Sequence, residues 1–288
     1  MTSIPAGTVP RRALFSADDF GFSEAVNEGI ERAHREGLLS TASLMVAGAA
    51  AADAVRRARR MPQLRVGLHL VAVEGAPVLP AADIPLLAGP DGWFPSDQAR
   101  LGVRYFFHPT ARRQLLREIE AQFRAFAATG LPLDHANAHK HMHLHPTVGA
   151  MLIRAGLPHG LRAVRVPCEP PTPLGEPDDA GARLLRGWTP LLRRQVRRAG
   201  LRCNDHCFGL RWSGHMTAAR VAALLPRLPP GFSEIYFHPA AARDPLLDRL
   251  MPTYEHEGEM DALCSAEVRR ALDRAGIVSA HWADAPRA

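Results

Sequence analysis

Lysine is almost missing from this 288-residue chain: Lys140 is the only one, so the 35 basic residues, set against 29 acidic ones, are nearly all arginine. Arginine stays charged throughout the physiological range and meets carboxylates and phosphates with a planar fork of donors. The net charge of +6 therefore points to anionic neighbours such as a phosphate, a nucleic acid or a membrane surface. Cysteine is scarce as well. Cys168, Cys203, Cys207 and Cys264 are too few for a disulfide framework, which fits a reducing compartment. Long apolar runs are absent too. The longest, Ala42 to Ala52, is about half of what a membrane-spanning helix needs. The opening MTSIPAGTVPRR has no apolar core of the kind a secretory signal carries. The expected location is the cytoplasm, with peripheral contact to the inner membrane left open. Residues 1–11 are expected to form a flexible tail and 12–288 a single domain.

What is present is an alternation of short β-like runs with helical patterns. Strands are expected near 12–17, 41–46, 65–70, 133–138, 162–166, 203–206, 233–238 and 277–281. Helices are expected at 23–36, 50–60, 110–129, 146–156, 180–199, 217–228 and 265–275. Ser23 followed by Val26, Ile30 and Ala33 starts an amphipathic helix that Gly37 stops. Roughly eight βα units without a break in composition favour a (β/α) barrel, TIM-barrel-like with room for distortion, over a doubly wound sheet. Two long connections interrupt the pattern, 71–109 and the proline-rich 167–179. Such loops in a compact domain are often lids or binding loops.

Three clusters fall at the C-terminal ends of expected strands, which in a parallel barrel all open on one face. Asp18 and Asp19 in ADDFG follow the first strand. Adjacent carboxylates there repel unless a cation or proton lies between them, although a turn leading into the helix at Ser23 explains them as well. His69 in GLHL ends the third strand. A lone histidine among aliphatics is more often a hydrogen-bonded core residue, yet imidazole is also the commonest metal ligand. The third cluster, His135-Ala-Asn-Ala-His139-Lys-His141-Met-His143-Leu-His145-Pro146, is the strongest signal. If extended, its histidines and Asn137 project to one side over about 20 Å, so a single metal gathers only one or two of them. The others would line a pocket or cap the helix after Pro146. One carboxylate, two imidazoles and a second carboxylate alongside match an open catalytic metal site, and the implied chemistry is hydrolysis. His238, in FHP at the end of the seventh strand, can supply the proton that a leaving amine needs, or can simply mark a His-Pro turn. Cys203-Asn-Asp-His206-Cys207 looks like a zinc knuckle but lacks a second ligand pair.

At ADDFG 17–21, GLHL 67–70, HKHMHLHP 139–146 and FHPA 237–240 the chain resembles the YdjC-like carbohydrate deacetylases over most of its length. The resemblance implies a barrel-like α/β fold and removal of an acetyl group from an N-acetylated sugar with one divalent metal. By the same resemblance Asp19, His69 and His139 are metal ligands, Asp18 is the general base and His238 the proton donor. Arg165 touches substrate or orients Asp18, and His141 and His143 line the substrate pocket. Zinc is the expected metal, with magnesium, nickel or cobalt as alternatives. Within the family the chain is most similar to the hopanoid-biosynthesis branch, which implies an N-acetylglucosaminyl hopanoid as substrate.

Three other readings compete: a deacetylase of soluble chitooligosaccharides such as diacetylchitobiose, another metal-dependent hydrolase such as a phosphoesterase, and a non-enzymatic metal-binding scaffold at the membrane. No nucleic-acid partner is expected, and a homodimer is left open. Residues 183–202, with seven arginines and no acidic side chain, read either as an ordinary outer helix or as a basic amphipathic helix for an anionic bilayer. Pro190 is expected to kink it.

Overall fold

The computed structural model describes residues 9–171, 173, 175 and 180–287, with side chains after Gly175 described from Arg186 onward. The tail expected over 1–11 therefore lies largely outside the described residues, and β1 begins at Arg11. The chain runs β1 (Arg11–Phe20), α1 (Glu24–Glu36), β2 (Thr41–Leu44), α2 (Ala51–Arg59), β3 (Arg65–Leu70), α3 (Gln98–Phe107), α4 (Pro109–Ala128), β4 (Ala136–Ala138) and α5 (Pro146–Gly156). It continues through α6 (Ala180–Arg198), β5 (His206–Phe208), α7 (Ala218–Leu224), β6 (Gly231–Phe237), α8 (Pro245–Leu250), α9 (His256–Cys264), α10 (Ala266–Arg274) and β7 (Val278–Ser279). The seven helices expected from periodicity all form. In α1, Ser23 caps the N-terminus by accepting from the Val26 N–H, and Val26, Ile30 and Ala33 face the core. α3, α8 and α9 are additional. α3 lies inside the stretch expected to be a loop, where Leu101 and Tyr105, one turn apart, are its only buried residues. α6 runs unbroken through Pro190.

Every strand pair is parallel, in the order β4-β3-β2-β1-β6-β5. Single bridges carry the path onward from β4, Ala136 to Val164 and Ala163 to Arg202. The strand expected at 162–166 is thus an extended segment in the wall rather than a full ladder, and the one expected at 203–206 forms its ladder slightly later, as β5 against β6. The Asn204 side chain replaces the missing rungs: Val166 N–H donates to its Oδ1 at 2.8 Å, and its Nδ2 donates to Val166 O at 2.8 Å. The eighth strand does not occupy a place of its own in the ring. β1 is ten residues long and pairs with β6 over seven of them on one edge. Its other edge takes β7 at Arg12 and Ala13, then β2 from Ser16 onward. The result is a distorted (β/α) barrel in one domain. Leu14, Phe232, Ala280, Trp282 and Ala285 form a separate buried cluster where the strands begin. The wall is therefore plugged at that end, and the strand C-termini surround a cavity of about 550 Å³.

Candidate active site

Two carboxylates reach this cavity from one strand because β1 is bulged. Ser16 pairs with Thr41 and Ala17 with Ala42, but Phe20 already pairs with Leu44, so β1 carries one extra residue there. A bulge suspends the in–out alternation of a strand, and Asp18 and Asp19 both line the cavity. Asp19 adopts a left-handed backbone, φ 64°, which aspartate tolerates better than most side chains.

The histidine-rich segment is not extended throughout. β4 stops at Ala138, and the chain coils tightly over His139–Leu144 with Lys140 and His141 at φ 50° and 54°. The one-sided display expected for 135–145 fails because these left-handed residues rotate each following side chain to a new direction. His139 turns towards Asp19, while His141 meets the Tyr236 hydroxyl at 3.0 Å through Nε2. His143 is fully buried with its Nε2 2.9 Å from Arg165 O, donating to it, and is absent from the cavity lining. His145 packs outward against Tyr105, Phe106 and Trp188. His135 lies beneath the site, stacked on Trp282.

Among the described residues, Asp19, His69 and His139 form a group whose ligand atoms lie within 4.8 Å of one another. His69 Nε2 is 3.2 Å and His139 Nδ1 3.3 Å from Asp19 Oδ1. All three residues are buried, and neither Asp19 oxygen has a hydrogen bond of good geometry among the described residues. His69 Nδ1 donates to Asn137 Oδ1 at 2.8 Å, which leaves Nε2 as the atom turned to the carboxylate. A buried carboxylate facing two imidazole nitrogens without a proper donor is a set of electron pairs that a cation would satisfy. The residues present fit a divalent metal. A proton competes for the same place: burial lowers the His69 pKa, but the charges of Asp18 and Asp19 raise it above the ordinary histidine value.

Asp18 stands beside this trio in a different environment. Arg165 Nη1 and Nη2 donate to its two oxygens at 2.5 and 3.0 Å, and Asn137 Nδ2 donates to Oδ1 at 3.0 Å. Burial pushes its carboxyl up, and the Arg165 guanidinium outweighs that effect, holding it far below the usual carboxylate range. Oδ1 already accepts two hydrogen bonds, whereas Oδ2 accepts one and keeps a lone pair. Arg165 is itself fully buried and bridges to Glu234 through Nε at 2.9 Å and Nη2 at 2.8 Å. It does not line the cavity, and of the two roles implied for it, orienting Asp18 is the one its contacts perform.

His238, just beyond the end of β6 and so beside β1, lines the cavity with Tyr236 and Tyr254. Burial lowers its pKa, but the Glu259 carboxylate, 3.7 Å from Nδ1, and the charges of Asp19 and Asp18 push it up to about 8. Sequence reasoning did not single out Glu234, Glu259, Tyr236, Tyr254 or Glu169. Glu234 and Glu259 are fully buried acids, one in the middle of a strand and one in a helix. For Glu234 a signal existed: it interrupts the apolar run Phe232–Phe237.

Fold and site together define a barrel protein with a candidate catalytic metal centre at the C-terminal ends of its strands. A protein-family model described as YdjC-like protein matches residues 12–274. A human protein named carbohydrate deacetylase is 31% identical over 292 residues, covering 92% of this chain and 88% of its own length. The chain belongs to the YdjC-like family. A carbohydrate deacetylase of Brevibacillus brevis is 38% identical over 143 residues, half of this chain and 54% of the relative, so the match spans about half the length of that protein. A crystal structure of a candidate cellobiose-phosphate cleavage protein from Enterococcus faecalis V583 superposes with a TM-score of 0.74 at 21% identity, covering 95% of this chain and 98% of that one. That likeness shows the shared fold.

Proposed function

We propose that this protein is a metal-dependent carbohydrate N-deacetylase acting on the acetamide of an N-acetylglucosaminyl hopanoid, with free glucosamine on the lipid and acetate as products. The observation that carries the reading is the Asp19–His69–His139 trio with the ionised Asp18 beside it. Asp19, His69 and His139 would hold a divalent ion there, zinc for preference, which would polarise a carbonyl and make water more acidic. Asp18 Oδ2 accepts the proton from the attacking water, and His238, protonated at neutral pH, donates one to the amine nitrogen as the C–N bond breaks. Tyr236 and His141 line the same cavity and bind the sugar. His143 and Arg165 act from behind the wall. The cavity volume falls within the usual range for small-molecule sites, about 300–1,000 Å³, and suits one sugar with its acetamide.

Two surface features support a substrate presented at an anionic bilayer. No described helix is long and apolar enough to cross a membrane, so contact would be peripheral. On α3, Val103, Phe106 and Phe107 are 62%, 44% and 74% exposed, flanked by Arg100, Arg112 and Arg113 with no acidic residue from Gln98 to Arg117. Phe106 and Trp188 pack on His145, which links this face to α6. In α6, Arg194, Arg197 and Arg198 are exposed, whereas Arg193 is spent on Asn204 O and Asp205 O. Leu184 and Leu185, in the first turns of this helix, lie outside the described side chains. A second hollow of about 660 Å³ along Trp93 shares Leu250 with the first and favours a second reading, a soluble chitooligosaccharide whose next sugar lies there.

The deciding experiment is acetate release by metal-loaded protein from an N-acetylglucosaminyl hopanoid in anionic vesicles and from diacetylchitobiose. Higher kcat/KM on the glycolipid is expected, together with salt-sensitive vesicle binding that weakens when Phe106 and Phe107 become serine. Preference for the soluble sugar moves the assignment to the second reading, and no acetate from either ends the deacetylase reading.

A further inference from the structure

Beneath the candidate metal centre lies a chain of buried polar side chains that the mechanism above does not use. It starts at the partly exposed Asp134, two residues before β4, and runs inward from there. His135 Nδ1 is 3.2 Å from Asp134 Oδ2, and His135 Nε2 is 3.0 Å from Ser43 Oγ on β2. Ser43 Oγ is 2.9 Å from Asn137 Nδ2, and Asn137 Oδ1 is 2.8 Å from His69 Nδ1. His135, Ser43, Asn137 and His69 are all buried.

The direction of each hydrogen bond follows from the ends of the chain. Asp18 is ionised and can only accept, so the Asn137 atom 3.0 Å from it is the amide nitrogen. Its second N–H points to Ser43 Oγ, and its oxygen must face His69 Nδ1, which therefore carries a proton. Ser43, already accepting, gives its own proton to His135 Nε2. That nitrogen is then bare, and the His135 proton sits on Nδ1, facing the Asp134 carboxylate. For a neutral His135, reversing the Asn137 amide or the Ser43 link sets two acceptors against each other, the Asn137 oxygen against Asp18 or a bare His135 Nδ1 against Asp134.

We infer that Asp134, His135 and Ser43 are positioning residues: through Asn137 they hold the ring orientation of the metal-facing His69 and the seat of Asp18. The inference rests on the metal site described above. A feature of β3 supports it independently. A Cβ at Gly67 would stand 2.3 Å from His135 Nδ1, so the glycine two residues before His69 is what admits the His135 ring. Outer partners of metal-bound histidines tune affinity by about 10–100-fold when lost.

The test uses the full chain. In wild-type protein, nitrogen-15 NMR of the histidine rings should show His135 as the neutral Nδ1–H form. Zinc affinity, read by competition with a chelator, should fall about 10–100-fold in Ser43→Ala and in His135→Phe, which keeps the ring stacked on Trp282. Ser43→Thr, which restores the hydroxyl, should recover most of it. Loss of metal-free stability without a change in zinc affinity would reduce the chain to ordinary packing and overturn the inference. So would His135 protonated on Nε2 in the wild type, a result that needs no variant to fold. Wild-type protein that binds no zinc, yet shows His135 in the inferred form, would instead refute the metal site and leave the hydrogen-bond chain standing.

Discussion

Arg165→Met should separate the buried charge network from the rest of the fold. The guanidinium is completely enclosed and donates to Asp18, Glu234 and Ser16, so methionine fills much of its volume while stranding two buried carboxylates. Removing one partner of a buried ion pair costs about 3–5 kcal/mol. A domain is stable by about 5–15 kcal/mol in all, so the variant should fold but lie close to its limit. For a chain of this size the loss corresponds to a fall in Tm of about 6–20 °C, at roughly 2–4 °C per kcal/mol. The pH dependence carries the sign of the argument. In the wild type the Asp18 carboxyl titrates below its unfolded value, so the ion pair stabilises at all pH above about 4 and is lost only on further acidification. Without Arg165 the strongest opposition to burial is gone, leaving only Asn137 and the charges of His69 and His238, so the Asp18 carboxyl rises. The folded variant then gains protons as pH falls, and its deficit against the wild type should shrink between about pH 8 and pH 5. Urea unfolding followed by tryptophan fluorescence measures both quantities, and adding Glu234→Gln should restore part of the loss by removing one stranded charge. A deficit below about 1 kcal/mol at pH 8, or one unchanged at pH 5, would show that the two carboxylates do not depend on Arg165.

The remaining predictions concern the metal and the chemistry. His69→Ala should lose metal and turnover together, because it removes one of three protein ligands; full occupancy with full turnover would refute the ligand assignment. Asp18→Asn should keep the ion by metal analysis yet lose turnover by about 10²–10⁴-fold, and retained activity would place the base elsewhere. Zinc affinity should fall as pH drops below the raised His69 pKa, since protons and metal compete for Nε2; a pH-independent dissociation constant would contradict that competition. Turnover should decline on the alkaline side as His238 loses the proton that the Glu259 carboxylate holds on it, and His238→Gln should abolish that alkaline limb.

Much of this was legible in the sequence because the relevant signals are local. Helix periodicity, the Ser23 cap and the ends of apolar runs are written in neighbouring residues, and they place ADDFG, GLHL and FHP at strand ends before any coordinates are known. What was not legible depends on partners distant in the chain. Nothing around Arg165 reveals that it lies between Asp18 and Glu234, which are 147 and 69 residues away. The double role of Asn137, donor to Asp18 and acceptor from His69, needs three strands in register. The place of β7 was misjudged for a related reason. A two-residue strand pairs wherever a free edge exists, and the lower half of β1 is free only because β2 begins opposite Ser16.

The one-sided display of histidines failed at a particular point, and that point explains the site. Asp19, Glu74, Lys140 and His141 are the non-glycine residues of the described chain with left-handed backbones. Each such conformation costs about 1–3 kcal/mol and persists only where its surroundings enforce it. Asp19, Lys140 and His141 line the cavity, and Glu74 pairs with Lys140 at its rim. The strain is therefore concentrated at the cavity rather than scattered over the fold. Its effect is visible in which nitrogen each histidine presents. His69 leaves a regular strand, anchors Nδ1 on Asn137 and offers Nε2 to Asp19. His139 stands at the first residue of the coil, immediately before the left-handed pair, and offers Nδ1 instead. His139 follows the extended Ala138 directly, so β4 itself places it, and the left-handed pair after it turns His141 and His143 to other partners. The extra residue in β1 thus brings Asp19 to His69 and His139 at the ends of β3 and β4, and the left-handed turn that follows sends the later histidines away from that point.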